Sequence, residues 1–294
     1  MRLLKHQGPR LLPILAFCAL SIQACESQAA GNRPEDDGAL TGRPVLVLAA
    51  ASLSDAFEDL ATAYSRAHPG AQVAFAFDGS QRLRVQLEHG AEADVFASAD
   101  WRQMRAAEKA GVLAGEPRSF ASNRLVFLLH RDTRFLPPDA EDSSPPASQA
   151  EVNRLISEIA SPGTKIVVAL EESPVGQYTD ELLDNMNSDP NFGQRFAVGL
   201  SSNIVSRETN VRGVVQKVAL GEADAGIAYR TDAMAPQVAS RVVAVEPPEH
   251  LNVTADYPIA ALSDTVQVDQ FIGFVLSAEG QSILGRHGFG PPQP

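Results

Sequence analysis

The feature that most constrains this chain is an alternation of two patterns. Short apolar runs recur between stretches with helical spacing, and several corners where a run gives way to a helix carry Ser, Gly, Pro or Asn. The runs are 45–51, 72–77, 94–98, 124–130, 165–169, 195–198, 223–229, 241–245 and 257–262. Several are apolar throughout, as in strands covered on both faces. Between them, Leu53, Phe57, Leu60, Ala61 and Tyr64 share one face of a 3.6-residue repeat. Val211, Val214, Val215 and Val218 form a second stripe, and Val268, Phe271, Ile272 and Val275 a third. This alternation predicts an α/β protein with mostly parallel sheets and helices on their faces.

The chain has 294 residues, enough for two lobes each with a core. Hydrophobic residues at 44% against 20% charged place it among soluble globular proteins. A net charge of −12 with no basic stripe argues against nucleic acid as a partner. Arg2, Lys5 and Arg10 precede a mostly apolar run over 11–24. That run is shorter than the ~20 residues a bilayer-crossing helix needs, and fits a secretory signal peptide over 1–24. Ile22-Gln23-Ala24-Cys25 resembles a lipobox, which makes Cys25 the lipidation site of a membrane-anchored chain. The alternative is simple cleavage after Ala24 or Ala29. Residues 25–43 are poor in apolar side chains and read as a disordered tether. Cleavage removes Cys18, so the mature chain has neither an internal disulfide nor a cysteine metal site. The Pro- and Ser-rich segment 132–149 reads as an exposed loop, and 288–294 as a fraying tail.

Helix N-termini carry unpaired N–H groups and the positive end of the helix dipole, so strand-to-helix corners are anion sites in waiting. Four corners stand out. They are Ala49-Ala50-Ala51-Ser52-Leu53, Phe77-Asp78-Gly79-Ser80, Ser173-Pro174-Val175-Gly176 and Glu208-Thr209-Asn210-Val211. Ser173 suits an N-cap and Pro174 the first helical position, which leaves the Val175 N–H free. Taken singly, each corner reads first as an ordinary helix start or cap.

Three longer motifs add to these corners: Ala-Ala-Ala-Ser-Leu at 49–53, Gly-Ala-Glu-Ala-Asp-Val-Phe-Ala-Ser-Ala-Asp at 90–100, and Asn-Val-Arg-Gly at 210–213 followed by Gly-Glu-Ala-Asp-Ala-Gly-Ile-Ala-Tyr at 221–229. In order and spacing the chain from Val45 onward resembles the molybdate-binding proteins of ABC importers. The resemblance implies a two-lobed class II periplasmic-binding-protein fold with the ligand in the cleft. On it, lobe one comprises 44–122 plus 236–294 and lobe two 123–235, with crossovers near 123–126 and 232–237. Carried over by motif, the oxyanion-binding residues are Ser52, Ser80, Val175, Val211 and Tyr229. The serines give hydroxyl and N–H donors, the valines backbone N–H groups, and Tyr229 its phenol. The implied ligand is molybdate or tungstate, with no cofactor and no free metal cation. The implied partners are the permease subunits of an ABC importer, met by a monomer on the outer face of the cytoplasmic membrane or in the periplasm. Two departures from the family pattern stand at the site. Val175 is bulky and follows Glu171 and Glu172, and Gln81 replaces a small residue after Ser80.

A lining made only of neutral donors meets a dianion with charge-assisted hydrogen bonds, each worth about 1.5–3 kcal/mol. It offers few acceptors to a protonated phosphate, and it holds the smaller sulfate loosely. Another anion (sulfate, phosphate or an organic acid) remains the nearest alternative ligand. An exported serine hydrolase is the rival from another class. Neither Ser52 nor Ser80 lies in Gly-x-Ser-x-Gly, no Ser-x-x-Lys is present, and the six histidines show no paired spacing, so the chain reads as a binding protein and not an enzyme.

Overall fold

The computed structural model describes residues 43–136 and 148–293. The signal peptide expected over 1–24, all but the last residue of the tether expected over 25–43 with its Cys25, and most of the loop expected over 132–149 lie outside the described residues.

The chain opens with β1 (Val45–Ala50), a 3-10 turn (Ala51–Leu53) and α1 (Ser54–Ala67). β2 (Val73–Asp78), α2 (Ser80–Glu88), β3 (Val95–Ala97) and α3 (Trp101–Lys109) follow. The long β4 (Arg118–His130) leads to α4 (Gln149–Ile159), β5 (Ile166–Ala169), α5 (Pro174–Ser188) and α6 (Gly193–Ser202). Then come β6 (Ile204–Glu208), α7 (Val211–Ala219), β7 (Ala225–Tyr229), α8 (Arg230–Ala233) and β8 (Val242–Val245). β9 (Thr254–Ala261), α9 (Val266–Leu276) and α10 (Ala278–Arg286) close the fold.

Two sheets share β4. Its first half pairs with β9, which continues through β3 and β1 to β2. Its second half pairs with β7 on one side and β8 on the other, and β7 leads through β5 to β6. β1 pairs in parallel with β2 and β3, and β5 with β6 and β7, whereas every pairing of β4 and β9 is antiparallel. The sheets are therefore mixed, where the sequence predicts mostly parallel ones. A continuous apolar run reports burial on both faces and carries no sign of strand direction.

One hydrophobic core cluster takes in buried residues of both lobes. In the first, the α1 face expected from sequence buries Phe57, Leu60 and Tyr64. Phe57 meets Phe75 and Phe120 with ring centroids 5.9 and 5.8 Å apart, and Tyr64 meets Phe271 of α9 edge-on at 5.4 Å. In the second, α7 buries Val211, Val214, Val215 and Val218, the stripe read from sequence.

Three local expectations change. Residues 195–198 lie in α6 and not in a strand, because Phe196 and Leu200, four apart, are the buried pair while Val198 is 57% exposed. The neighbouring strand is β6, whose alternating burial was too weak a signal beside that helix. β8 pairs with the second half of β4, Phe127 opposite Val245. Residues 242–245 thus belong with the second sheet, and the chain returns to the first between Val245 and Thr254. The tail is tied down as far as Gly290: Phe289 is buried against the Tyr257 ring, and Gly290 bridges Ser122 through reciprocal backbone hydrogen bonds of 3.0 and 2.8 Å.

Candidate functional site

Four strand-to-helix corners converge where the two lobes face each other. They come from β1 with its 3-10 turn, from β2 into α2, from the loop before α5, and from β6 into α7. Together with Tyr229 at the end of β7 they line one small cavity. Its volume, taken as the space open to the centre of a water-sized sphere, is about 20 Å³. That is room for one compact solute, well short of what a drug-sized organic molecule fills. All five residues expected from the sequence line it: Ser52, Ser80, Val175, Val211 and Tyr229.

The corners are built as the sequence suggests. Ser173 caps α5, accepting from the Gly176 N–H at 3.2 Å and donating to the Leu170 carbonyl at 2.6 Å. Pro174 holds the first helical position, so the next N–H, that of Val175, has no intrahelical acceptor. Gly176 is required here, because a Cβ would run into the Leu170 carbonyl. Asn210 caps α7 through the Gly213 N–H at 3.2 Å, which leaves the Val211 N–H at the first helical position. Ser80 opens α2, and its Oγ accepts from the Ala99 N–H at 3.0 Å. Ser52 is buried in the 3-10 turn with its Oγ 3.0 Å from the Tyr257 hydroxyl.

Tyr229 supplies the strongest local sign of a ligand. It is 1% exposed, and its hydroxyl has no hydrogen-bond partner. An unpaired buried hydroxyl costs about 1–3 kcal/mol, so native proteins seldom keep one without a use. Burial, then the neighbouring Tyr257 and Tyr178, hold its ionisation well above the ordinary tyrosine range. It therefore stays a neutral donor.

Carboxylates near the cavity are compensated or turned away. Asp78 lines it, but accepts from its neighbour Gly79 N–H at 2.7 Å and from Asn210 Nδ2 at 2.9 Å, and pairs with Arg82 at 3.0 Å. Glu171 and Glu172 are exposed, and Glu171 faces Arg207 at 3.6 Å. Two deeper acids are less comfortable. Burial pushes Asp100 up to about 6 against the Gln103 N–H it caps, and pushes Asp232 up to about 6 against the opposing charge of Arg212.

Several contacts join the lobes around the cavity. Gln81 donates to the Thr209 carbonyl at 2.8 Å, and Asn210 reaches Asp78. Arg212 donates to the Ala51 carbonyl at 3.2 Å, to Ser54 at 2.8 Å, and to Asp55. Gln237 reaches Asp55 at 3.0 Å. Arg212 is thus a structural ion-pairing residue and does not line the cavity. Sequence reading missed two neighbours of the site. Ala99 follows β3 in the small-residue run 97–99, a fifth corner whose composition was visible. Tyr257 is remote in sequence and left no local signal. Among the described residues, no group of three or more His, Cys, Asp or Glu is placed to hold a metal ion. No described helix is long and apolar enough to cross a membrane.

Two lobes joined through the shared strand β4, closing donor-rich helix ends onto a cavity of this size, define a receptor for a small solute. The chain belongs to the bacterial extracellular solute-binding protein family, whose sequence profile matches residues 45–290. It is 36% identical over 283 residues to the molybdate-binding protein ModA of Mycobacterium bovis, covering 95% of this chain and 96% of that one. The fold matches the periplasmic molybdate-binding protein of Azotobacter vinelandii with a TM-score of 0.65 at 18% identity, over 85% of this chain and 100% of that one. It also matches the sulfate-binding protein SubI of Mycobacterium tuberculosis H37Rv, with a TM-score of 0.68 at 17% identity over 85% and 88% of the two chains. The fold alone therefore does not choose the anion.

Proposed function

We propose that this protein captures molybdate, and tungstate with it, outside the cytoplasm and delivers the anion to the permease of an ABC importer. One observation carries the reading. The five residues that the family motifs single out line one cavity of oxyanion size, among them a buried tyrosine hydroxyl with no partner. In the closed cleft, the hydroxyls of Ser52, Ser80 and Tyr229 and the N–H groups of Val175 and Val211 donate to the four oxygens. Helix N-termini supply the opposing field, so no cation has to be buried. Ser52 and Ser80 belong to the first lobe and the other three to the second, so the anion favours closure by touching both. The permease reads the closed form. Export follows from the leader over 1–24, and Cys25 carries the lipid anchor that keeps the receptor at the membrane.

Titration calorimetry of the purified protein with molybdate, tungstate, sulfate and phosphate tests the ligand. Tight and nearly equal binding of molybdate and tungstate is expected, with sulfate weaker and phosphate weakest. Tight sulfate binding without molybdate heat overturns the assignment. Labelling of cells with a fatty-acid probe tests the anchor, which a Cys25→Ser chain must lose.

A further inference from the structure

The Ser52 hydroxyl has one proton and must spend it on the ligand for the reading above to hold. What it does with that proton is set by residues outside the cavity. Tyr257 is fully buried on β9, and its hydroxyl lies 3.0 Å from Ser52 Oγ. Asn123 of β4 is also buried, with Nδ2 2.9 Å from Thr231 Oγ1 and 3.5 Å from the Tyr257 hydroxyl. The orientation of that amide is fixed, because its Oδ1 accepts the Arg124 N–H at 2.9 Å. The end turned toward Tyr257 is therefore NH2, which donates and cannot accept.

Tyr257 then has a single acceptor within reach among the described residues, and that acceptor is Ser52 Oγ. If Ser52 instead donated to Tyr257, the phenolic proton would be buried without a partner, at the usual cost of an unmade hydrogen bond. The neighbouring phenol of Tyr229 offers no relief, since its hydroxyl is bonded to nothing. Burial, opposed in part by the bond to Ser52, keeps Tyr257 protonated far above neutral pH. Every group in the row thus donates in one direction.

We propose that Tyr257, oriented by Asn123, is a specificity-determining positioning residue: it donates to Ser52 Oγ and so commits the Ser52 proton to the bound oxyanion. The row Asn123 to Tyr257 to Ser52 acts as a one-way relay ending at the cavity. Ser80 has the same arrangement in simpler form, since the Ala99 N–H can only donate to its Oγ. Both serines then direct their hydrogens at the ligand, with one lone pair of each oxygen already engaged. An anion with no proton of its own, such as molybdate, matches this lining. One that carries a proton at neutral pH, such as hydrogenarsenate, brings a donor that meets the hydrogens of both serines instead of an acceptor.

The inference rests on the molybdate reading, and the experiment separates the two. Dissociation constants for molybdate and hydrogenarsenate, two tetrahedral anions of similar size, are measured by calorimetry for wild type and Tyr257→Phe. Phenylalanine keeps the ring and its packing and removes only the donor. Ser52 is then free to turn its proton away and accept. Molybdate binding weakens, and the preference for molybdate over hydrogenarsenate falls by about tenfold. Asn123→Asp is the second variant. It gives Tyr257 an acceptor, reverses the relay, and lowers the same ratio. Both ratios are read well below each variant's unliganded melting temperature, so lost stability alone does not move them. A molybdate-binding wild type with an unchanged ratio in both variants overturns the relay alone. A wild type that does not bind molybdate overturns the reading beneath it.

Discussion

The Gln81 carboxamide lies 2.8 Å from the Thr209 carbonyl oxygen, so a side chain on α2 of the first lobe holds the loop entering α7 of the second. Gln81 is one of the two residues, with Val175, whose size departs from the family pattern. It stands beside Ser80, and its bond forms only when the lobes meet. Its own Oε1 is buried without a partner, so the amide gives more to closure than it receives. Gln81→Ala removes this clasp while leaving the donors of the cavity in place. The molybdate dissociation constant is expected to rise by roughly the worth of one net hydrogen bond, about 1 kcal/mol, seen mainly as faster release in stopped-flow traces.

Gly79 permits that approach. A Cβ there would sit 2.7 Å from the Thr209 carbonyl oxygen and 2.5 Å from the Gln81 amide. The glutamine can move, but the carbonyl is backbone. Gly79→Ala is therefore expected to hold the cleft ajar and weaken molybdate binding more than Gln81→Ala does. Small-angle scattering with saturating ligand should show less compaction than in wild type. Equal compaction would mean that α7 gives way instead.

Tyr229→Phe separates stability from binding. The unliganded protein loses an unpaired buried hydroxyl, so its melting temperature should stay level or rise. The ligand loses a donor, so affinity should drop by about 1–3 kcal/mol. A fall in both would show that the hydroxyl serves the apo fold. Ser80→Ala is expected to cost binding by a similar ~1–3 kcal/mol, but with some loss of stability, because the Ala99 N–H is then left without its acceptor.

The two buried acids set a pH signature. Asp100 and Asp232 are each raised to about 6 in the folded protein, above the 3.8 of an unperturbed aspartate. Between those values the folded state holds more protons than the unfolded one, so stability falls as pH rises through that window. Their contribution is fully present below the lower value and lost above about 6. The unliganded protein should therefore melt at a higher temperature at pH 5 than at pH 7.5. Asp232→Asn, which keeps an acceptor for the Tyr229 N–H, should flatten that difference. A pH-independent gap between variant and wild type would argue that Asp232 keeps the same charge throughout the range.

How much of this was legible in the sequence follows from the range of each interaction. Caps and corners are local, so Ser173-Pro174-Val175 and Asn210-Val211 could be read directly and do lie where the strand ends predict. Tyr229 needed the family motif, because a tyrosine closing an apolar strand has no local mark of function. The relay through Tyr257 was invisible: Asn123 and Tyr257 stand 134 residues apart, and nothing in either neighbourhood signals the other. The same holds for Gln81, which looked like an unwelcome bulk beside Ser80 until its cross-cleft partner was seen. Strand direction was lost for a related reason, since antiparallel pairing of β4 with β9 depends on the path of the chain and not on periodicity.

The 13 residues of β4 run through both sheets, and their ladder partner changes from β9 to β7 between Arg124 and Leu125, with β8 joining from Phe127. Such a joint has no free swivel. Opening must bend a strand that is hydrogen-bonded on either side of the change, in the manner of a leaf spring clamped at both ends. A spring stores work when flexed and returns along the same path. A bend there parts the faces that carry the donors, and its reversal brings them together again.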